Sequence, residues 1–134
     1  MGYRSQVRSC VYGTDAELFD AFIAGQKLIN NIIWDGFGES LKFTEKKYTY
    51  GQPLANGSTE QVFKILDLQG DDWKWYDSYP DVQAWDKFIH DAEEAGLNWE
   101  FVRIGEEAGD IENESGGEDV QYFLSTDTNI YCDY

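Results

Sequence analysis

The side chains able to do chemistry in this chain are mostly carboxylates, and they are concentrated in its second half. Residues 71–134 hold 18 acidic and 3 basic side chains, whereas residues 1–70 hold 8 acidic and 7 basic ones. Nine of the acids fall in two neighbouring segments: Asp86, Asp91, Glu93 and Glu94, and then Glu106, Glu107, Asp110, Glu112 and Glu114. Carboxylates at this density attract basic surfaces and repel phosphate. We therefore expect these nine side chains to bind a protein with a basic groove, and expect no direct binding of nucleic acid or of an anionic membrane.

Residue patterns typical of catalysis are absent from the sequence. His90, the one histidine, falls on the polar side of a predicted helix, and no nucleophile elbow, phosphate-binding glycine loop or Cys/His nucleophile pair is present. The acids of residues 110–114 alternate as in a calcium loop, but Ser115 takes the place of the required glycine and Gln121 that of the bidentate acid. We expect a protein that is not an enzyme, with no catalytic residues, no cofactor and no dedicated metal site.

Four aromatic side chains, Trp73, Trp75, Tyr76 and Tyr79, lie just before the second predicted helix. Such clusters are most often packed at the edge of a core. They can also line a ligand pocket. An alternative function is therefore a small-molecule or metal-binding domain that uses a pocket near Trp75.

The element that carries the first group of acids is a predicted helix that starts after Pro80, runs from Asp81 and ends at Gly96. At the helical period its apolar side chains fall on one face and its polar ones on the opposite face. The apolar face is formed by Val82, Trp85, Phe88, Ile89, Ala92 and Ala95, and the polar face by Gln83, Asp86, Lys87, His90, Glu93 and Glu94. This helix should bury Trp85 and present its acids to solvent.

The remaining elements are predicted from periodicity and from turn residues. A first helix from Asp15 to about Asn30 should be capped by Thr14 with Glu17 and should pack through Leu18, Phe22, Gly25, Ile29 and Ile32. Strands are predicted at Tyr3–Tyr12, at Leu41–Tyr50 with a bulge across Glu45–Lys47, at Gln61–Leu68 and at Leu97–Ile104. Residues 105–119 are predicted as a polar loop, and Val120–Ser125 with Ile130–Tyr134 as a last strand or a short hairpin around Thr126–Asn129.

The predicted order β-α-β-β-α-β is typical of a split βαβ, or ferredoxin-like, sandwich. We predict a single acidic α+β domain over residues 1–134, with two helices on one face of a mostly antiparallel sheet. Cys10 and Cys132 lack metal-ligand spacing and predict reduced thiols. No stretch approaches membrane-spanning length, so we expect a cytosolic protein.

Three short segments carry a resemblance: MGYRSQV at the start, WKWYDSYPDV at residues 73–82 before the second helix, and FVRIGEEAGDIE at residues 101–112, where RIGE leads into an acidic stretch. Together they resemble a scattered group of small, largely uncharacterised proteins of tailed phages and prophages. Residues 39–60 have no counterpart in that group. The resemblance covers 29 of 134 residues and brings no catalytic residues with it. It implies a small α+β domain in a phage setting, acting in the cytoplasm of the host cell.

The charge and the resemblance together predict a phage-encoded inhibitor of a host protein. The target would be a defence protein, such as a CRISPR nuclease, or another protein that handles nucleic acid. Acids along a helix and the following segment can stand at intervals similar to those of phosphates, since B-DNA carries a charge about every 1.7 Å and a helix rises about 1.5 Å per residue. The inhibitor would then act as a DNA mimic, and a virion or assembly component remains a further alternative.

Overall fold

A computed structural model describes residues 2–29, 31–127 and 129–134. Its main sheet has five strands in the order β2-β3-β1-β4-β5, and each neighbouring pair is antiparallel. The strands are β1 (Ser5–Gly13), β2 (Leu41–Thr49), β3 (Glu60–Trp73), β4 (Asn98–Gly105) and β5 (Ile111–Gly116). The predicted α+β class with a mostly antiparallel sheet is confirmed.

Helices cover one face of this sheet. They are α1 (Ala16–Ile29), α2 (Asn31–Phe37), which a 3-10 turn at Gly38–Ser40 follows, and α3 (Pro80–Glu94). Their buried side chains join one core with the sheet residues Val7, Val11, Leu66 and Phe101: Phe19, Ile23, Ile33, Phe37, Trp85, Phe88, Ile89 and Ala92. Among the described residues there are three helices, so the prediction of two is wrong, and the predicted end of the first helix at Asn30 lies outside the described residues.

The helix α3 follows its prediction closely. Tyr79 is the N-cap residue and Pro80 occupies the first turn, where its missing N–H costs no hydrogen bond. Trp85 and Phe88 are completely buried. The amphipathic pattern of residues 81–95 therefore identified the correct face.

The helix α1 buries a different face from the one predicted. Asp15, not Thr14, caps it, since the Leu18 backbone N–H donates to the Asp15 carboxylate at 3.0 Å. Phe19 and Ile23 are buried, whereas Leu18 is half-buried and Ile29 is 75% exposed. The buried side chains of α1 are Phe19, Ile23 and Gln26. Of the other residues predicted to pack, Phe22 is half-buried, Gly25 is exposed and Ile32 of α2 is 39% exposed.

The strand β2 is regular. It pairs with β3 from Leu41 opposite Leu68 to Thr49 opposite Glu60 without a shift, so the bulge predicted at Glu45–Lys47 is wrong. The strand lies at the sheet edge and most of its side chains are exposed. The order of apolar and polar residues in its sequence therefore does not show which side chains are buried. The register shift in the sheet lies instead between β1 and β3, where the two steps from Ser5 to Val7 are opposite the three steps from Trp73 to Gly70.

The C-terminal segment covers the other face of the sheet. It contains a short hairpin of β6 (Leu124–Thr126) and β7 (Ile130–Cys132), which agrees with the hairpin alternative of the prediction; Thr128 of the predicted turn lies outside the described residues. Phe123 and Leu124 pack there against Cys10 and Tyr12 of β1 and Phe63 of β3. The sheet is thus buried on both faces.

Candidate functional site: an acidic groove between α3 and β5

The acidic stretch predicted as a loop contains the edge strand β5. It pairs with β4 from Ile104 opposite Ile111 to Trp99 opposite Gly116. Glu112 lies opposite Arg103 and Glu114 opposite Phe101, which belongs to the core beneath the helices. Because side chains alternate along a strand, both carboxylates are directed to the same sheet face as α3.

A groove of about 270 Å³ lies between α3 and β5. We call it the acidic groove. Its apolar residues are Trp75, Val82, Trp85, Ile89 and Phe101, and its polar residues are Asp77, Gln83, Asp86, Glu112 and Glu114. Four carboxylates thus approach an aromatic surface from three directions: the segment before α3, α3 itself and β5.

One of the four groove carboxylates is already paired with Arg103. This buried guanidinium donates to Glu112 from Nε at 3.0 Å and from Nη2 at 2.8 Å, and to the Asp110 carboxylate at 2.7 and 3.2 Å. Its Nη1 also donates to Ser5 Oγ at 3.0 Å. Glu112 and Asp110 are therefore both paired with a side chain of the same chain.

The Arg103 network also includes Tyr3. The Tyr3 hydroxyl donates to Asp110 Oδ2 at 2.6 Å. Hydrogen bonds from Arg103 and Tyr3 hold the pKa of Asp110 below its ordinary value, and the same bond to Asp110 raises the pKa of Tyr3. This carboxylate is stabilised in its charged form by internal donors and needs no partner protein.

Three further acids predicted to bind a partner make contacts within the chain. Asp91 pairs with Lys87 at 2.6 Å. Glu93 accepts a hydrogen bond from the Trp99 indole at 2.9 Å. Glu106 accepts one from the Arg4 backbone N–H at 2.8 Å. Counting acids along the sequence could not separate these from the unpaired ones, because their partners lie on other elements or at a helical spacing.

The other four predicted acids, Asp86, Glu94, Glu107 and Glu114, are exposed. Asp86 lies 3.7 Å from His90 Nδ1. Within the described part of the chain, the carboxylates of the other three have neither an ion pair nor a hydrogen bond. Only Asp86 and Glu114 of this group line the acidic groove. Of the nine predicted acids, Asp86, Glu112 and Glu114 line the acidic groove, and the other six do not.

Sequence reasoning missed two participants in the groove, Asp77 and Phe101. Asp77 lies two residues after Trp75, and this interleaving of aromatic and acidic side chains was the available signal. Phe101 could be located only through the pairing of β4 with β5. The sequence did single out Trp75 as the centre of an alternative pocket, and Trp75 does line the groove.

Trp85 contributes an unusual feature to the groove. Its side chain is completely buried, and its indole Nε1 has no acceptor among the described residues. A buried N–H without an acceptor costs about 1–3 kcal/mol. Such a donor calls for an explanation.

A second group of buried polar side chains lies under the C-terminal segment. Glu100 accepts hydrogen bonds from the Tyr12 hydroxyl at 2.6 Å and from the backbone N–H groups of Phe123 and Leu124 at 3.0 and 2.9 Å. Burial, with this hydrogen bond, raises the pKa of Tyr12. These hydrogen bonds hold the C-terminal segment against the sheet, and no sequence pattern indicates that an acid of β4 is buried.

Asp67 of β3 is a second buried acid that binds the C-terminal segment. It pairs with Arg8 at 3.1 Å and accepts a short hydrogen bond from the Tyr134 hydroxyl. Cys10, which lies between β3 and β4 in the sheet, is buried, and burial raises the pKa of its thiol well above the ordinary value. Burial also raises the pKa of the Cys132 thiol. A raised pKa disfavours the reactive thiolate form of both side chains.

Among the described residues, no three His, Cys, Asp or Glu side chains come close enough to hold a metal ion. None of the described helices combines the length and the apolarity needed to cross a membrane. Comparison of the chain with protein-family models, with curated proteins and with solved structures found no match.

Proposed function

We propose that this chain is a binding protein without catalytic activity that occupies a basic, nucleic-acid-binding surface of a partner protein. In the phage setting that the sequence suggests, it inhibits a host defence protein or another nucleic-acid-handling protein in the host cytoplasm. The observation that carries the proposal is the set of three carboxylates of Asp77, Asp86 and Glu114 around the acidic groove, which have no ion pair shorter than 3.7 Å among the described residues.

The charge balance supports a basic partner. Like charges held close together are destabilising by a few tenths of a kcal/mol per pair on a helix. The second half of the chain nevertheless carries 18 acids against 3 bases, and two of these bases, Lys87 and Arg103, are paired internally. A partner with a basic groove would offset this repulsion, and long-range attraction would make its association fast. The inhibitor would exclude nucleic acid from that groove.

The strand order suggests a finer assignment of the fold. The first four strands lie in the order β2-β3-β1-β4, with helices between β1 and β2 and between β3 and β4. We propose that this part is a split βαβ, or ferredoxin-like, unit. The strand β5 and the hairpin β6–β7 would be additions to it, and β5 brings two of the groove acids.

The test compares two triple charge reversals. D86K/E94K/E114K changes three exposed acids of the second half, and D35K/E39K/E45K changes three exposed acids of the first half. Each protein is immobilised and incubated with host extract at low and high salt, and the nuclease and DNA-binding activities left in the extract are measured. We expect the wild type and the first-half variant to remove one such activity at low salt, and the second-half variant to leave it.

Equal depletion by both variants would show that the acidic half is not the binding surface. Depletion by the wild type that is insensitive to salt would argue against an electrostatic interface, because salt screens exposed charges beyond about 10 Å at 0.1 M. Hydrolysis of nucleotides or phosphodiesters by the purified wild type, abolished in His90→Ala, would contradict the non-enzymatic proposal.

A second candidate function is a domain that binds a small organic ligand. The aromatic side chains of Trp75 and Phe101 in the acidic groove favour it. A cationic ligand would suit the surrounding carboxylates. This candidate predicts that a small organic cation copurifies from the host or shifts the melting temperature, and that partner capture is absent.

A further inference from the structure

We propose that the acidic groove binds an arginine side chain presented by the partner protein. The inference rests on the proposed function and specifies its central contact. Three features of the groove carry it: its size and aromatic lining, the placement of the three carboxylates that Arg103 does not bind, and the unpartnered donor of Trp85.

The size of the groove suits one long side chain. Pockets for drug-sized ligands enclose about 300–1,000 Å³, and this groove encloses about 270 Å³. Trp75 and Phe101 both line it, with ring centroids 5.8 Å apart and planes 35° from parallel. Aromatic faces attract guanidinium groups, which are planar and more weakly hydrated than ammonium groups.

The carboxylates are placed for a planar cation with several donors. Asp77 of the segment before α3, Asp86 of α3 and Glu114 of β5 line one groove. A guanidinium presents five N–H donors in a fixed fork, so it can bind carboxylates that approach from different sides. A metal ion would need ligating atoms gathered within coordination distance, and no such group occurs among the described residues.

The chain itself contains an example of this recognition next to the groove. Arg103 of β4 binds Glu112 of β5 and Asp110 with both edges of its guanidinium. Glu114 is the next acid on the same face of β5, and it lies opposite Phe101, which supplies no charge. A partner arginine would therefore give Glu114 the type of contact that Arg103 gives Glu112.

The unpartnered indole N–H of Trp85 favours a ligand that also brings a hydrogen-bond acceptor. Trp85 lines the groove, is completely buried and lacks an acceptor among the described residues. An arginine within a peptide carries backbone carbonyl oxygens close to its side chain. The indole nitrogen has no exposed surface in the free protein, so a peptide carbonyl would become its acceptor only as neighbouring side chains of the groove shift on binding.

The test uses N-acetyl-arginine amide as the probe. Nα-acetyl-citrulline amide is the uncharged control of the same shape. Nα-acetyl-lysine amide, with a free side-chain ammonium, carries the same charge as arginine without the planar fork. Binding to the wild type is followed at low salt by tryptophan fluorescence and by the indole N–H resonances in a two-dimensional NMR spectrum. We expect millimolar affinity for the arginine probe, at least about tenfold weaker binding of citrulline and weaker binding of lysine. The Trp85 indole resonance should shift.

The paired variant D86N/E114Q should weaken the arginine probe by about tenfold. The control E39Q/E45Q, which removes two exposed acids of the first half, should bind as the wild type does. Equal binding of citrulline and arginine, equal loss in the two variants, or shifts confined to residues outside the groove would overturn the inference. Lysine binding as tightly as arginine would overturn the guanidinium assignment.

The outcomes separate this inference from the proposed function. If D86K/E94K/E114K loses the host activity but the arginine probe does not bind the groove, the arginine inference fails and the inhibitor function stands. If the arginine probe binds the groove but the charge reversal leaves depletion of the host activity unchanged, the proposed inhibitor function fails.

Discussion

Among the individual residues, Arg103 does most to determine which acids remain available to a partner. It is 9% exposed and contacts Ser5 of β1, Asp110 and Glu112. Removing one partner of a buried charge is strongly destabilising, because the other charge is left without compensation. Arg103 therefore holds the turn before β5 and β5 itself against the body of the sheet.

The acid dependence of stability should report this network. In the folded protein the pKa of Asp110 lies below its ordinary value of 3.8. The hydrogen bond from Arg103 is the largest cause, and the hydrogen bond from Tyr3 is the next. The contribution of Asp110 is therefore fully present above pH 3.8 and is lost as the pH falls through the lower, folded pKa. We expect Asp110→Asn to be less stable than wild type at neutral pH and to lose less further stability below pH 3.8. Urea midpoints as a function of pH measure both effects.

Glu114→Gln provides the control for Asp110→Asn. The Glu114 carboxylate has no hydrogen bond or ion pair among the described residues, so this change should leave the acid profile close to that of wild type. Parallel pH profiles for wild type and Asp110→Asn would show that the Arg103 contact does not stabilise the folded state.

Glu100 should be among the most sensitive acids of the chain. Glu100→Ala would leave the Tyr12 hydroxyl and two backbone N–H groups buried without their acceptor. The expected loss is about 3 kcal/mol in the free energy of unfolding, since each buried unsatisfied group costs about 1–3 kcal/mol and the region can partly relax. Chemical denaturation measures it. Glu118→Ala, at an exposed position, should change stability by less than about 0.5 kcal/mol.

At the scale of elements, the helix α3 connects the core to the candidate site. Its Trp85 is completely buried and also lines the acidic groove, while Asp86 beside it is exposed. Trp85→Ala should destabilise the protein by about 3–5 kcal/mol through the cavity that it leaves. Leu28→Ala on α1, where the side chain is 86% exposed, should have little effect. Thermal melts compare the two, and an unchanged melt for Trp85→Ala would contradict the packing of α3.

The elements that sequence analysis located correctly are those with one clear pattern. Residues 81–95 have a single apolar face, and β4 lies in a stretch between Gly96 and Gly105 that is rich in aromatic and β-branched residues. In α1, by contrast, Leu18 with Phe22 and Phe19 with Ile23 form two adjacent apolar lines. Packing against the core decides between them: Phe19 and Ile23 are buried, whereas Leu18 and Phe22 are half-buried, and the pattern alone does not reveal this.

The strand β5 could not be recognised from its own residues. Its sequence, IENESG, has low strand propensity and is exposed almost throughout, because it is an edge strand. It is a strand because β4 offers it a partner. The buried acids Asp67 and Glu100 were hidden for a similar reason, since their hydrogen-bond donors come from β1 and from the distant C-terminal segment.

At the scale of the whole molecule, charge counting predicted the acidic half but not the groove. Composition identifies where 18 acids and 3 bases lie along the chain. Which carboxylates remain free depends on tertiary partners such as Arg103 and the Trp99 indole, and on the helical neighbour Lys87. The groove exists only because β5 adds to the sheet beside α3, a pairing of elements that no local pattern encodes.

The response of stability to salt should show whether repulsion among the excess acids destabilises the folded protein. With a net charge of −16, repulsion among carboxylates opposes the compact state, and salt screens it over about 10 Å at 0.1 M. We expect the free energy of unfolding of the wild type to rise with sodium chloride concentration. The variant D86K/E94K/E114K should be more stable at low salt and should depend less on salt, whereas D35K/E39K/E45K should change both quantities less, because the first half is nearly neutral. Guanidinium is itself a salt, so urea midpoints at several salt concentrations provide the measurement. If salt destabilises the wild type, internal ion pairs outweigh the repulsion, and the unpaired acids around the groove impose no cost that a basic partner would need to relieve.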